Sequence, residues 1–169
     1  MDEIAALIEP NISALRRYAF ALTRDGDLAD DMVQDCLERA VRKWHLRSSD
    51  ENLRAWLFAI LHNVFVSHMR GSSRRGHQVD LEGAENTPCP TMSQERHLTV
   101  RDALAGLDVL PPEQREVLLL VGVEELSYAE AAEVLGIPIG TVMSRLSRGR
   151  EGLRRFMETG CLEPVRSIK

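Results

Sequence analysis

Residues 137–156 carry five arginines and one acid, although the formal net charge of the chain is −5 at pH 7. Four polar side chains recur there at spacings of three and four: Thr141, Ser144, Arg145 and Arg148. On a helix, residues at such intervals share one face. Serine and arginine can bond phosphate oxygens and base edges, and arginine can reach guanine through two parallel hydrogen bonds. The pattern therefore predicts a binding face for nucleic acid.

A second basic stretch lies in the first half of the chain. Residues 54–79 hold four arginines, three histidines and no acid, whereas residues 80–136 hold three basic and twelve acidic residues. This asymmetry is expected if separate faces of an acidic protein meet a polyanion. On charge alone, two solvated basic faces would give the same counts.

The residues that could support catalysis or bind metal are spaced unfavourably. No HExxH or comparable motif occurs among the five histidines, which are His45, His62, His68, His77 and His97. The three cysteines lie too far apart for a zinc motif: Cys36, Cys89 and Cys161. We therefore expect neither an enzyme nor a metal or other cofactor.

The cysteine count and the N-terminus bear on location. An odd number of cysteines suits reduced thiols, and the first ten residues, "MDEIAALIEP", carry acids where a signal peptide needs a basic start. No apolar run approaches the roughly 18 residues that would span a bilayer. We expect a cytoplasmic protein without a membrane span.

The elements that must position these residues are predicted to be helices throughout. Apolar residues recur at spacings of three and four nearly everywhere, and alternating strand patterns do not appear. Three helices are expected in the first half, with apolar positions starting at Ile12, Ala29 and Leu53, the third ended by "GSSRRG". Residues 76–94 contain two prolines and two glycines and are predicted to be a linker. Further helices are expected around residues 98–107 and in "PPEQREVLLLV".

The basic stretch at 137–156 is predicted to be the second helix of a pair. Ser127 and Glu130 have the spacing of a capping box that starts the first helix. Gly136 and Pro138 end it. Four positions of the second helix should then face inward: Val142, Leu146, Gly149 and Leu153. This is the helix-turn-helix arrangement, although a plain helical hairpin with a basic surface fits the same pattern.

Three motifs resemble one protein family. "LSYAEAAEVLGIPIGTVMSRLSRGRE" resembles region 4.2 of the extracytoplasmic-function sigma factors, the bacterial subunits that direct RNA polymerase to promoters. "DMVQD" followed by "CLERAVRKW" resembles the region 2 helix that binds the clamp helices of the largest polymerase subunit. "RAWLFAILHNVFVSHMRGSSRR" resembles the adjoining segment that opens and reads the −10 element. The motifs stand in the order of the family and together cover most of the chain.

The resemblance implies an all-α fold of two small helical domains. Region 2 is expected at residues 1–75, the linker at 76–94, region 4 with its helix-turn-helix at 95–160, and a tail at 161–169. The implied function is promoter recognition by a sigma factor, under the control of an anti-sigma factor. The implied partners are promoter DNA and core RNA polymerase, through its clamp helices and its flap.

The resemblance also assigns residues to each contact. The −35 element is expected to meet Thr141, Ser144, Arg145, Arg148 and Arg150. The −10 element is expected to meet Asn63, Ser67, His68, Arg70, Arg74 and Arg75, since an asparagine can both donate to and accept from an extruded base and arginines can follow phosphates. Core polymerase is expected to meet Asp31, Gln34, Asp35 and Glu38.

Some of these assignments have alternatives in the sequence. His68 continues an apolar stripe, so a core position is as compatible with the pattern as a DNA contact. The acidic row of the second helix would, without the "DMVQD" match, be interpreted as a solvated face. Many members of the family carry a basic residue where Met143 stands and an acid near Ser67, so promoter preference could differ.

Two other classes of protein could also carry a helix-turn-helix of this kind. A conventional dimeric repressor would need a ligand or dimerisation domain, which the first half does not resemble. A sigma-like decoy would bind an anti-sigma factor and no DNA. Known decoys carry an attached receiver domain, and the arginines of the second basic helix favour DNA binding.

Overall fold

The computed structural model describes residues 2–48, 52–74 and 100–159, without the side chains at 2, 72–74, 100 and 101. Within these ranges the protein is helical and has no strand, which confirms the predicted all-α class. The first domain contains α1 (Asp2–Ile8), α2 (Ile12–Thr23), α3 (Gly26–Lys43) and α4 (Leu53–Arg74). The second contains α5 (Val100–Asp108), α6 (Pro112–Leu118), α7 (Tyr128–Leu135) and α8 (Ile139–Thr159).

The first domain is built around α3, which packs between α2 and α4. Asp25 caps α3, its side chain accepting hydrogen bonds from the backbone N–H groups of Asp27 and Leu28. The core is filled by fully buried side chains of three helices: Leu15, Tyr18, Cys36, Leu57, Phe58 and Leu61. Each large apolar side chain stabilises the fold by about 1.5–3 kcal/mol when buried.

The ends of the first domain differ from the sequence expectation. The short helix α1 and the 3-10 turn Glu9–Asn11 were not predicted. Helix α4 was expected to end at "GSSRRG", but it continues past Gly71 to Arg74. A single glycine costs a helix only about 1 kcal/mol, so it does not end a long helix by itself.

Helices of the second domain begin and end at the residues that the sequence predicts. Pro112 opens α6, which passes into a π-helical turn at Leu119–Val123. Ser127 and Glu130 form the predicted capping box at the start of α7. Gly136 ends α7 with a φ of 64°, a left-handed conformation that suits glycine. The helix-turn-helix predicted from the sequence is therefore present as α7 and α8.

The two domains contact each other. α4 packs against α7, and α2 touches the π-helical turn. The predicted linker at 76–94, the predicted start of region 4 at residue 95 and the predicted tail at 161–169 lie outside the described residues.

Candidate nucleic-acid interface

Helix α8 is seated on α6 by close backbone approach. Val142 and Leu146 are buried, as predicted, and Gly149 is buried beside them. A Cβ atom at Gly149 would lie 3.2 Å from a methyl group of Leu118 and 3.3 Å from the carbonyl oxygen of Gln114. The contact therefore leaves almost no room for a side chain at position 149.

The outer face of α8 divides into exposed and half-buried side chains. Arg148 and Arg150 are exposed. Thr141, Ser144 and Arg145 are half-buried, and the Ser144 hydroxyl donates to the carbonyl oxygen of Thr141 at 3.1 Å. The two arginines are thus the members of the predicted −35 set that solvent and a ligand can reach freely.

Arg145 lies near a carboxyl group that the sequence analysis did not single out. Burial, together with the nearby Glu113 carboxylate, raises the pKa of Glu116 to about 7 against the opposing effect of Arg145 and Arg115. The pKa of Glu116 therefore lies close to neutral pH, beside α8. Its partial burial depends on how α6 packs, which no local sequence pattern discloses.

The acidic row of α3 is open to solvent. Its members are all exposed: Asp31, Gln34, Asp35 and Glu38. The opposite face of α3 is buried through Met32, Val33 and Cys36. Among the described residues, the ion pairs of the row are with arginines of the same helix, at 3.9 Å from Asp35 to Arg39 and 3.4 Å from Glu38 to Arg42. Such exposed pairs contribute little to stability, so the row is available to a partner.

The end of α4 presents the predicted −10 residues whose side chains are described. Asn63, Ser67, His68 and Arg70 are all exposed. The Ser67 hydroxyl donates to the carbonyl oxygen of Asn63 at 2.7 Å. The exposure of His68 excludes the alternative of a core histidine at this position. The side chain of Arg74 and the whole of Arg75 lie outside the described residues.

The buried histidine of α4 is His62. It is 8 % exposed, and burial lowers its pKa. It is therefore neutral at physiological pH and belongs to the core.

The two predicted sets of the first domain adjoin one another. Asp31, Asp35 and Arg39 of α3 line one open groove together with Ser67 and His68 of α4. A protein partner on α3 and a nucleic-acid strand along the end of α4 would therefore be neighbours.

Two kinds of feature are absent from the described ranges. No group of three or more histidine, cysteine, aspartate or glutamate side chains there is arranged to hold a metal ion. None of the helices in these ranges is both long and apolar enough to cross a membrane.

Comparison with known families and proteins agrees with the helical pattern. Residues 8–62 match the family described as the Sigma2 domain of PhyR, and residues 101–153 match Sigma-70, region 4. The chain is 38% identical over 160 residues to the ECF RNA polymerase sigma factor EcfG of Rhodopseudomonas palustris (strain TIE-1), covering 92% of this chain and 83% of that protein. It is 34% identical over 154 residues to the ECF RNA polymerase sigma factor SigC of Mycobacterium tuberculosis (strain CDC 1551 / Oshkosh), covering 89% of this chain and 80% of that one.

A solved structure has the same arrangement of helices. The sigma factor RpoE of Bartonella quintana, crystallised in complex with the anti-sigma factor NepR, matches with a TM-score of 0.78 and 33% identity. The match covers 95% of this chain and 100% of that one. Family matches cover both domains, and the two relatives named above match over most of the chain. The chain therefore belongs to the extracytoplasmic-function family of RNA polymerase sigma factors.

Proposed function

We propose that this chain directs core RNA polymerase to promoters by contacting the −35 element through α8, the −10 element through the end of α4 and the polymerase through α3. The observation that carries the proposal is a division of charge between domains. One chain presents exposed arginines on the second helix of a helix-turn-helix and an exposed acidic row on a different domain. A repressor needs only the first of these surfaces, whereas a sigma factor needs both.

The −35 contact rests on Arg148 and Arg150. Both are exposed on α8, where a guanidinium can bond the N7 and O6 atoms of guanine or a phosphate oxygen. Thr141, Ser144 and Arg145 are half-buried, so we assign them contacts with the phosphates at the edge of the groove. Such contacts fix the register of the helix on the duplex and carry little sequence information themselves.

The −10 contact rests on the polar end of α4. Asn63 offers a donor and an acceptor to an unpaired base. Ser67 and His68, which follow it on α4, line the groove shared with α3. Arg70 is exposed one turn further, and we propose that Arg74 and Arg75 continue this path along the phosphates.

The polymerase contact rests on the acidic row of α3. Asp31, Gln34, Asp35 and Glu38 form a row of acceptors that matches the positive side chains of a basic helix. We assign the clamp helices of the largest polymerase subunit to this row. We assign the flap to the second domain, as the family resemblance implies.

Control by an anti-sigma factor is part of the proposal. RpoE of Bartonella quintana was solved with the anti-sigma factor NepR, and its similarity to this chain extends over both domains. We therefore expect an anti-sigma partner here. We also place the protein in the cytoplasm, where core polymerase and the chromosome are found.

One observation favours a second candidate function. The first domain matches a family named after the Sigma2 domain of PhyR, and PhyR of Bartonella quintana is an anti-anti-sigma factor in a solved structure. The two chains are only 19% identical, so this match shows a similar fold and nothing more. A decoy would need no arginines on α8, so the exposure of Arg148 and Arg150 supports the promoter-binding function.

The experiment adds the purified chain to core RNA polymerase with genomic DNA and sequences the transcripts. A set of start sites that share one upstream motif, absent with core polymerase alone, is the expected result. No new start sites, together with tight binding to a NepR-type anti-sigma factor, would replace this function by the decoy.

A further inference from the structure

The ion pairs that the described residues form between the two domains have the same polarity. The first domain supplies the basic partners and the second supplies the acidic ones. Arg17 and Arg54 bind Glu124, at 2.7 Å and 2.8 Å. Arg24 binds Asp108 at 2.7 Å. Acidic residues in the middle of the chain therefore find basic partners in the first domain of the same molecule.

Glu124 is the centre of this contact. Its side chain is only 1 % exposed. The Arg17 guanidinium donates to both carboxylate oxygens, at 2.8 Å and 2.7 Å. Arg54 donates to one of these oxygens and also to the backbone carbonyl oxygen of Glu124, at 3.2 Å. A buried carboxylate is costly unless it is paired and hydrogen-bonded, and Arg17 and Arg54, its partners among the described residues, both belong to the other domain.

Further contacts surround this cluster. The Asn52 side chain donates to Glu130, and Arg24 donates to the backbone oxygen of Leu104. Tyr18 is fully buried, and burial together with the carboxylates of Glu116 and Glu124 raises its pKa. The Tyr18 hydroxyl has no hydrogen-bond partner among the described residues. The interface is thus polar and incompletely satisfied, which suits a contact that can reopen.

While the two domains contact each other, in what we call the closed arrangement, the molecule is too small to reach both promoter elements. About 25 base pairs separate positions −35 and −10, which is about 85 Å of B-form DNA at 3.4 Å per step. A compact chain of this length has a radius of gyration of about 16 Å. Fully extended, the 25 residues at 75–99 would reach about 90 Å, so separation of the domains could bridge the distance.

We propose that Glu124, Arg17 and Arg54 form an ion lock that holds the free chain closed and that must open before one molecule can contact both promoter elements. The lock itself is a property of the free chain and does not depend on the proposed function. Its consequence for promoters does rest on that function, so the two are tested separately.

The lock is tested by small-angle X-ray scattering on the full-length chain alone, at about 0.1 M salt, where exposed pairs are already partly screened. The unmodified protein should have a radius of gyration of about 16 Å. Arg17→Ala with Arg54→Ala should raise it toward about 25 Å, as expected for two domains of this size that no longer contact each other. Loss of both partners should increase the open fraction about a hundredfold or more.

The matched control is Arg16→Ala. Arg16 adjoins Arg17 on α2 but pairs at 2.9 Å with Asp30 of its own domain, so its loss should leave the radius unchanged. Glu124→Gln provides a second opening variant from the other domain. Circular dichroism identifies a variant that has lost its helices. If the arginine double variant unfolds in this way, Glu124→Gln tests the lock in its place, and the reverse holds if Glu124→Gln unfolds.

Three results would overturn the lock. They are an unmodified chain that is already expanded, folded lock variants that stay compact, or an equal expansion caused by Arg16→Ala. Transcription is measured afterwards: with the lock confirmed by scattering, the open variants should still support initiation by core polymerase. Failure to initiate in the unmodified chain would count against the proposed function and leave the scattering result standing.

Discussion

Helices α3 and α8 each bury an apolar face and present charge to solvent, but they are held in place by different means. α3 is seated by side chains, with Met32, Val33 and Cys36 buried among those of α2 and α4. α8 is seated by close backbone approach, because Gly149 meets the carbonyl oxygen of Gln114 without an intervening side chain. The charges on α3 can therefore be changed without moving the helix, whereas the arginines of α8 keep their place only while the inner face stays small.

The largest expected effect tests the α3 side of this comparison. Asp31→Lys with Asp35→Lys should place like charges against a basic partner, which costs several kcal/mol and lowers affinity for core polymerase by about a thousandfold. The free energy of unfolding should change by about 0.5 kcal/mol or less, because both positions are exposed. Size-exclusion chromatography with core polymerase, together with thermal unfolding, measures the two quantities.

The control for this double variant is Glu3→Lys with Glu9→Lys. Both side chains are exposed in the first domain, and the change in net charge is the same. Normal assembly of the control with loss of assembly in the α3 variant supports the assignment. Normal assembly of both would leave the acidic row as a solvated face.

The next effect tests the α8 side. Gly149→Leu should push α8 away from α6, destabilise the second domain by about 3 kcal/mol and abolish binding to −35 DNA, because overpacking a tight contact forces the backbone to shift. Core polymerase binding through α3 should persist. Gly140→Ala is the control, since a Cβ atom there meets nothing within 4 Å. Unchanged stability and DNA binding in Gly149→Leu would show that side-chain volume on this face does not matter.

A smaller effect separates the position of α8 from the contact that Arg148 makes with DNA. Arg148→Ala leaves the inner face of α8 intact and should weaken holoenzyme binding to −35 DNA by about 2 kcal/mol, if the guanidinium reads a base. Arg155→Ala is the control, because that arginine is exposed and pairs with Glu151 at 2.9 Å. Competition with mutated −35 sequences measures the change, and equal losses in both variants would remove the base contact from Arg148.

The smallest effect concerns Glu116, a half-buried residue of α6 that lies near Arg145 of α8. Burial raises its pKa from 4.5 to about 7, so the folded protein binds more protons than the unfolded chain between these values. The free energy of unfolding should therefore fall as pH rises from about 4.5 to about 7, by about 1 kcal/mol after allowance for partial exposure. Denaturant unfolding at several pH values measures it. Glu116→Gln should flatten the profile and the exposed Glu133→Gln should not; a profile that stays steep in Glu116→Gln would contradict the assignment.

Local patterns in the sequence were sufficient to predict much of this fold. The periodicity from Ile12, Ala29 and Leu53 gave α2, α3 and α4, and the capping box at Ser127 with Gly136 gave the helix-turn-helix. These features depend on residues close in sequence, so a single chain discloses them. The exposure of Arg148 and of the α3 row followed from the same periodicity.

What could not be predicted depends on contacts between distant elements. Arg17 and Arg54 look like ordinary surface arginines, and Glu124 is one of twelve acids in residues 80–136. Periodicity shows which face of a helix is buried but not which element covers it. The pairing of these three residues across 70 and 107 positions and the half-burial of Arg145 are therefore visible only in the structure.

The division of labour between the two domains is tested most directly by permanganate footprinting of unpaired thymines, at promoters identified by transcript sequencing. The unmodified chain with core polymerase should make thymines near the −10 element reactive. Asn63→Ala should abolish this reactivity while protection of the −35 element remains, because the proposed function assigns the exposed amide of Asn63 to the separated strand alone. If the unmodified chain never produces reactive thymines at any genomic promoter, or if Asn63→Ala removes −35 protection as well, the account is contradicted.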